Sequence, residues 1–190
     1  MQHKDIIIQF EHQSKVVNFA ELCYKTNRHH YKKRGQNDPR KIKLDIYHRK
    51  IAEYAVWDHY KTVEGVECQE PDLAVLDPNR KSYEADLKVK NKNGKESLLH
   101  IKTQTVKQSE KFGLSWMFQK NDPLVFRPLL NDFVVLTVFL SMNLVRVYKP
   151  LNARHLLERY QKPKVAKIQD TKLALYATNI DDLWLSLIHI

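Results

Sequence analysis

The chain has 190 residues, 43% of them apolar and 28% charged, with a formal net charge of +10 and a pI near 9.5. That length and apolar content suit one compact domain, residues 1–190, of α/β or α+β type. Only two cysteines occur, Cys23 and Cys68, too far apart and too few for a disulfide scaffold or a cysteine zinc site.

From the N-terminus, Ile6-Ile7-Ile8 is too short an apolar stretch for a secretory signal, so a cytoplasmic location is expected. The longest apolar run, 133–140, falls well below the roughly 20 residues a membrane helix needs. The basic excess is concentrated at 25–50, a segment read as an elaboration on the core. It holds Lys25, Arg28, Lys32, Lys33, Arg34, Arg40, Lys41, Lys43, Arg49 and Lys50 against Asp38 and Asp45, which is eight of the ten net charges. Interleaved Tyr24, His29, His30, Tyr31 and Tyr47 add groups that hydrogen-bond phosphate or stack on bases. Clusters of this kind bind nucleic-acid backbones by counterion release, and Gly35-Gln36-Asn37-Asp38-Pro39 reads as a flexible loop within it. The segment lacks the clean apolar face of a membrane-surface helix.

Next, 44–60 has Ile51, Tyr54 and Ala55 at helical spacing, with Glu53 inside the run. Three short strand patterns follow: 72–77, 83–89 and 98–105. Asp77-Pro78-Asn79-Arg80 turns the first into the second, and Asn91-Lys92-Asn93-Gly94 is a hairpin turn between the second and third. In the second strand Tyr83, Ala85, Leu87 and Val89 oppose Glu84, Asp86 and Lys88. In the third, Leu99 and Ile101 oppose His100, Lys102 and Gln104. Matching the apolar faces of the hairpin requires paired residue numbers to sum to 186 or 188, which puts Asp86 opposite His100 or Lys102. Directly opposed Cβ atoms lie roughly 4.5–5.5 Å apart, so Asp86, His100 and Lys102 are expected to share one polar patch, with Asp72 at its edge.

Further on, Trp116 and Phe118 read as core, while Gln119, Lys120 and Asn121 are placed to meet nucleic acid. Residues 132–140 and 144–148 read as buried strands joined through Ser141-Met142-Asn143. A helix is expected over 151–160, and a second basic stretch, 154–172, carries Arg159, Lys162, Lys164 and Lys167. The apolar C-terminus, 183–190, suits a final strand or a dimer contact. No Walker loop, dinucleotide glycine pattern or nucleophile elbow occurs, four glycines leaving little room for one.

The ordered set Glu53, Asp86, His100-Ile101-Lys102 and Gln104 resembles the PD-(D/E)XK nuclease superfamily over residues 44–148. Its restriction-endonuclease-like core is a helix carrying a Glu, an antiparallel hairpin carrying Asp and (Glu/Asp)-x-Lys, then a helix and a further strand. Two alignments fit. In one, Pro71-Asp72 is the PD and Asp86-Leu87-Lys88 the D-x-K. In the other, Asp86 is the lone Asp and His100-Ile101-Lys102 fills the E-x-K strand, followed by the Gln of a Lys-x-Gln. The second is preferred because it keeps the longer hairpin at the catalytic centre. His100 in place of an acid is a departure, since imidazole suits Mn²⁺, Co²⁺ or Zn²⁺ better than Mg²⁺.

The resemblance implies an α/β fold with a mixed sheet, antiparallel hairpins and flanking helices. It also implies a metal-dependent endonuclease acting on double-stranded DNA with Mg²⁺ or Mn²⁺. Asp86, Lys102, His100 and Glu53 would be catalytic, and Asp86, Asp72, His100 and the Ile101 carbonyl would hold the metal. Arg28, Lys32, Lys33, Arg34, Arg40, Lys41, Lys43, Gln104 and Lys120 would contact nucleic acid, and a homodimer would suit the cutting of two strands. The competing readings are a nuclease-like DNA-binding protein without activity and an RNA-processing protein.

Overall fold

The computed structural model describes residues 2–75 and 84–182. The first elements are strand β1 (His3–Ile7), helix α1 (Phe10–Lys33) and helix α2 (Pro39–Lys61). α1 buries Val16, Ala20 and Asn27 along one stripe. α2 begins where Asp38 accepts from the backbone N–H of Arg40 and Lys41 and Pro39 occupies the first turn, a favourable N-terminus. The helices run antiparallel, as the pairs Lys43–Glu21 and His12–Asp58 show. The segment read as a flexible loop is therefore only the tight turn between two long helices, closed by Gly35 at φ +71°.

There follow β2 (Val66–Cys68), β3 (Leu87–Asn91), β4 (Glu96–Thr105), α3 (Val106–Phe112), β5 (Ser115–Gln119), β6 (Asp132–Ser141), β7 (Leu144–Tyr148), β8 (Leu151–Asn152) and β9 (Lys172–Tyr176). The main sheet has the order β1-β7-β6-β4-β3-β2, with β8 on β6, while β5 and β9 form a separate antiparallel pair. β4 and β6 are parallel neighbours, a pairing that needs a crossover connection, here through α3 and β5. All other pairings are antiparallel, so this is an α/β fold with a mixed sheet flanked by helices.

The β3–β4 turn is built as its sequence dictates. Gly94 takes φ +75°, and the Asn91 side chain accepts from the N–H of Asn93 and Lys95. Two cores sandwich the sheet. On one side Tyr47, Ile51, Tyr54 and Ala55 of α2 pack on Leu87, Leu99, Val135 and Val147. On the other, Trp116 and Phe118 of β5 pack on Val134, Leu136 and Val138, the Trp116 Nε1–H donating to the Thr137 carbonyl at 2.9 Å. Strand β6, buried on both faces, therefore reads as a continuous apolar run. Among the described residues no helix is long and apolar enough to cross a membrane.

Several expected elements shift. The strand that pairs with the hairpin is 66–68; of the strand expected at 72–77, residues 72–75 carry no regular structure and 76–77 lie outside the described residues. The second strand starts at Leu87, so residues 84–86 of the expected 83–89 strand, Asp86 among them, stand just outside the ladder, and Tyr83 lies outside the described residues. The helix expected over 151–160 is replaced by β8 and a single 3-10 turn, Ala153–Leu156. The Asp77–Arg80 turn and the C-terminal segment 183–190 lie outside the described residues.

Candidate functional site

The hairpin pairs Leu87 with Leu99 and Lys90 with Glu96, the expected sum of 186. Past Leu99, β4 continues to Thr105 while β3 has ended, and among the described residues no other strand pairs with it on that edge. Asp86 takes over there in two ways. Its N–H donates to the Leu99 carbonyl at 2.9 Å, and its carboxylate Oδ2 accepts from the Ile101 N–H at 2.6 Å. A side chain thus stands in for the missing strand and orients one carboxylate at the open edge. Because the N–H and C=O of one strand residue point the same way, the Ile101 carbonyl faces that edge too.

Glu53, on α2, is close enough for the charge of Asp86 to act on it. It is 6% exposed, and Lys50, one turn earlier, donates to its Oε2 at 2.6 Å. Burial first, and the negative charge of Asp86 second, push its carboxyl up to about 8, so near neutral pH most of it holds a proton. A buried carboxyl on α2 and the Asp86 carboxylate at the β4 edge are the acidic groups of this site.

The other expected members point elsewhere. Side chains alternate across β4: Leu99 and Ile101 enter the helix-side core, and His100, Lys102 and Gln104 take the opposite face. His100 is buried there, its Nε2 3.1 Å from Asp132 Oδ1, while Asp132 Oδ2 accepts from the Leu129 N–H at 2.7 Å. Lys102 extends over the Phe118 ring, 5.3 Å from its centroid, and its ammonium lies 3.8 Å from Asp122. The expected patch therefore divides into Asp86 with Glu53, His100 with Asp132, and Lys102 with Asp122. Asp72 is exposed and uses Oδ1 to accept from the Ala74 N–H, closing its own turn. Gln104, expected to meet nucleic acid, is 5% exposed and fully committed: its amide donates to the Gly113 carbonyl and its Oε1 accepts from the Ser115 N–H at 2.9 Å, tying β4 to β5.

Among the described residues no group of three or more His, Cys, Asp or Glu is placed to hold a metal ion. The set that fits a hard divalent cation is smaller: the carboxyls of Asp86 and Glu53 with the Ile101 carbonyl, the remaining positions being filled by water. His100 does not join it in this arrangement, because Asp132 occupies its Nε2.

The basic segment forms the tip of the α1–α2 hairpin. Arg28, Lys32, Lys33, Arg34, Arg40 and Lys41 are exposed there, as is Lys120 beyond β5. Lys43 is half-buried and paired with Glu21 at 2.8 Å, and Tyr47 is a core residue whose hydroxyl donates to the Met142 carbonyl. Tyr24 and Tyr31 are half-buried and stack with centroids 6.3 Å apart, bracing the tip. Sequence reasoning missed Lys50, whose spacing of three from Glu53 was a readable signal, and Asp132 and Asp122, whose roles depend on the β4–β6 register and had none. Comparison with family models, with curated proteins and with solved structures returns no match.

Proposed function

We propose that the chain is a metal-dependent endonuclease that hydrolyses phosphodiester bonds of double-stranded DNA on a restriction-endonuclease-like core. The observation that carries this reading is the Asp86 carboxylate held by the Ile101 N–H at the edge of β4 past the end of β3, with the buried Glu53 on the facing helix α2. The order of elements supports it: a helix bearing the acid, an antiparallel hairpin, a short helix, and a strand parallel to the hairpin's second strand.

A divalent cation held by Asp86, Glu53 and the Ile101 carbonyl would supply polarisation of a phosphoryl oxygen and a bound water of lowered pKa. The protein's own part follows from the geometry. The Ile101 N–H keeps Asp86 oriented as an acceptor. Glu53 gives up its proton when the site fills, with Lys50 at hand to steady the resulting charge. Lys102 lies on the opposite face of β4, loosely paired with Asp122, and in this reading reaches a phosphate oxygen only by leaving that partner, then to offset the charge that builds in the transition state. The exposed cations of the α1–α2 tip hold the duplex backbone.

The test is incubation of the full chain with plasmid DNA and with RNA in Mg²⁺ or Mn²⁺, beside Asp86→Asn and Lys102→Ala. Nicking or cutting of DNA that falls at least a hundredfold in both variants is expected; intact DNA with wild-type protein refutes the activity. A second reading, a duplex-binding protein that does not cut, is favoured by one observation: the position of the second motif acid is His100, already held by Asp132. Salt-sensitive duplex binding with no cleavage in either metal would select it.

A further inference from the structure

The face of β4 that turns away from the helices carries a second polar row. His100 and Lys102, two residues apart on one strand, project to the same side with Cα atoms roughly 7 Å apart. Each is answered by a buried aspartate, and the two acids are fixed in the same manner. Asp132 turns Oδ1 to His100 Nε2 at 3.1 Å while its Oδ2 accepts from the Leu129 N–H at 2.7 Å. Asp122 places Oδ2 3.8 Å from the Lys102 ammonium while its Oδ1 accepts from the Leu124 N–H at 3.1 Å. A carboxylate only accepts, so in the neutral His100 ring the proton sits on Nε2 and the lone pair on Nδ1. Nδ1 has no hydrogen bond among the described residues and is not sealed from solvent. This is the arrangement of a general base: an acid fixes the tautomer and direction of the imidazole, and the opposite nitrogen is left to take a proton. Beside it, an ammonium held loosely rather than bonded is available to an oxyanion. No serine, threonine or cysteine side chain is bonded to His100 among the described residues, so the row suits a substrate that brings its own nucleophile. The net charge of +10 draws polyanions, and RNA carries a 2′-hydroxyl beside every phosphodiester. In the connection that joins the two acids, Phe126 is 53% exposed and offers a face on which an unpaired base stacks.

We propose that His100 and Lys102 form a metal-independent site that cleaves single-stranded RNA through its own 2′-hydroxyl, with Asp132 and Asp122 as positioning residues. His100 Nδ1 takes the 2′-OH proton, O2′ attacks the phosphorus, and the P–O5′ bond breaks. Lys102 offsets the charge on the phosphoryl oxygens and passes a proton to the departing O5′. Solvent then returns both side chains to their starting protonation. The products are a 2′,3′-cyclic phosphate and a 5′-hydroxyl. This activity goes beyond the metal-dependent DNA reading: it uses the opposite face of β4, needs no cation and shares only Lys102 with it.

The experiment incubates the protein in EDTA with a labelled single-stranded RNA, its 2′-O-methyl counterpart and DNA of the same sequence. Wild type is compared with His100→Gln and Asp132→Asn, and thermal melting is recorded for each. The RNA is expected to be cut to cyclic-phosphate ends while the other two strands stay whole, with the rate falling about a hundredfold or more in His100→Gln. Asp132→Asn is expected to lower kcat about tenfold or more at unchanged KM and to shift the ring ¹⁵N resonances of His100 as the tautomer is released. The methylated strand tests the chemistry on wild-type protein, so the result holds even where a variant melts early. Intact RNA, cutting of methylated RNA or of DNA in EDTA, other termini, an undiminished rate in His100→Gln or an unchanged kcat in Asp132→Asn overturns the proposal. Plasmid cleavage in Mn²⁺ is scored separately. If wild type cuts plasmid yet leaves RNA whole in EDTA, this site falls alone; if RNA is cut in EDTA and plasmid survives, the DNA reading falls and this one stands.

Discussion

Replacing Glu53 by Gln tests the electrostatics of the candidate site without any substrate. In the folded protein the Glu53 carboxyl is raised from its ordinary 4.5 to about 8, chiefly by burial and then by Asp86. Between those two values the native state holds a proton that the unfolded chain releases, so this group's contribution is fully present below pH 4.5 and is lost as the pH climbs through 8. Each pH unit in that window removes about 1.4 kcal/mol, so wild type loses on the order of 4 kcal/mol from this residue between pH 5 and 8. Gln keeps the volume and an oxygen for Lys50 but cannot ionise. Urea unfolding of both proteins at pH 5, 6, 7 and 8 should show the Gln variant gaining on wild type with every step. Subtracting the two profiles removes the histidines and other groups that titrate in the same range. A difference that stays flat from pH 5 to 8 would mean that Glu53 is ionised throughout, and the coupled-acid description would fall.

Gln104→Ala removes the amide that joins β4 to Gly113 and Ser115 and leaves buried partners unsatisfied, so chemical denaturation should show a loss of about 1–3 kcal/mol with DNA affinity in EDTA unchanged. At the helical hairpin's tip, a triple Lys32→Ala, Lys33→Ala, Arg34→Ala variant leaves the buried stripes of α1 and α2 untouched. Its thermal melting should therefore match wild type, while the salt slope of duplex binding becomes shallower by about three units. An unaltered slope would assign the tip to solvent alone.

Where the sequence pattern is local, it specified the structure. The Asn91–Gly94 turn, the alternation on either side of it and the apolar runs at 132–141 and 144–148 each meet their requirement within a few residues of chain, and the strands lie where those patterns put them. The departures have a common cause. Residues 72–77 have a strand pattern followed by a good turn, but the segment that pairs with β3 is 66–68. A helix over 151–160 has the right spacing, yet Leu151 is used to extend the ladder on β6, and the remaining residues make one 3-10 turn. The basic tract looks like a loop in composition, but Asp38 and Pro39 supply a helix start strong enough to reduce it to a turn.

The candidate site was legible for a pair of residues and illegible for the rest, and the division follows from geometry. Alternation correctly separates His100 and Lys102 from Ile101, and the register correctly brings Asp86 to the middle of β4. Neither rule says what waits on the far face. Asp132 sits at the head of β6 and Asp122 in the connection after β5, so which of them meets His100 or Lys102 is decided by the parallel β4–β6 register and the path of the crossover. Asp86 departs from simple facing for the same reason: one residue outside the ladder, its carboxylate bends onto the Ile101 amide, and from there its charge acts on Glu53. Asp86→Asn should therefore lower the Glu53 carboxyl toward its ordinary range and shrink the pH dependence described for Glu53→Gln, whether or not the site cleaves DNA.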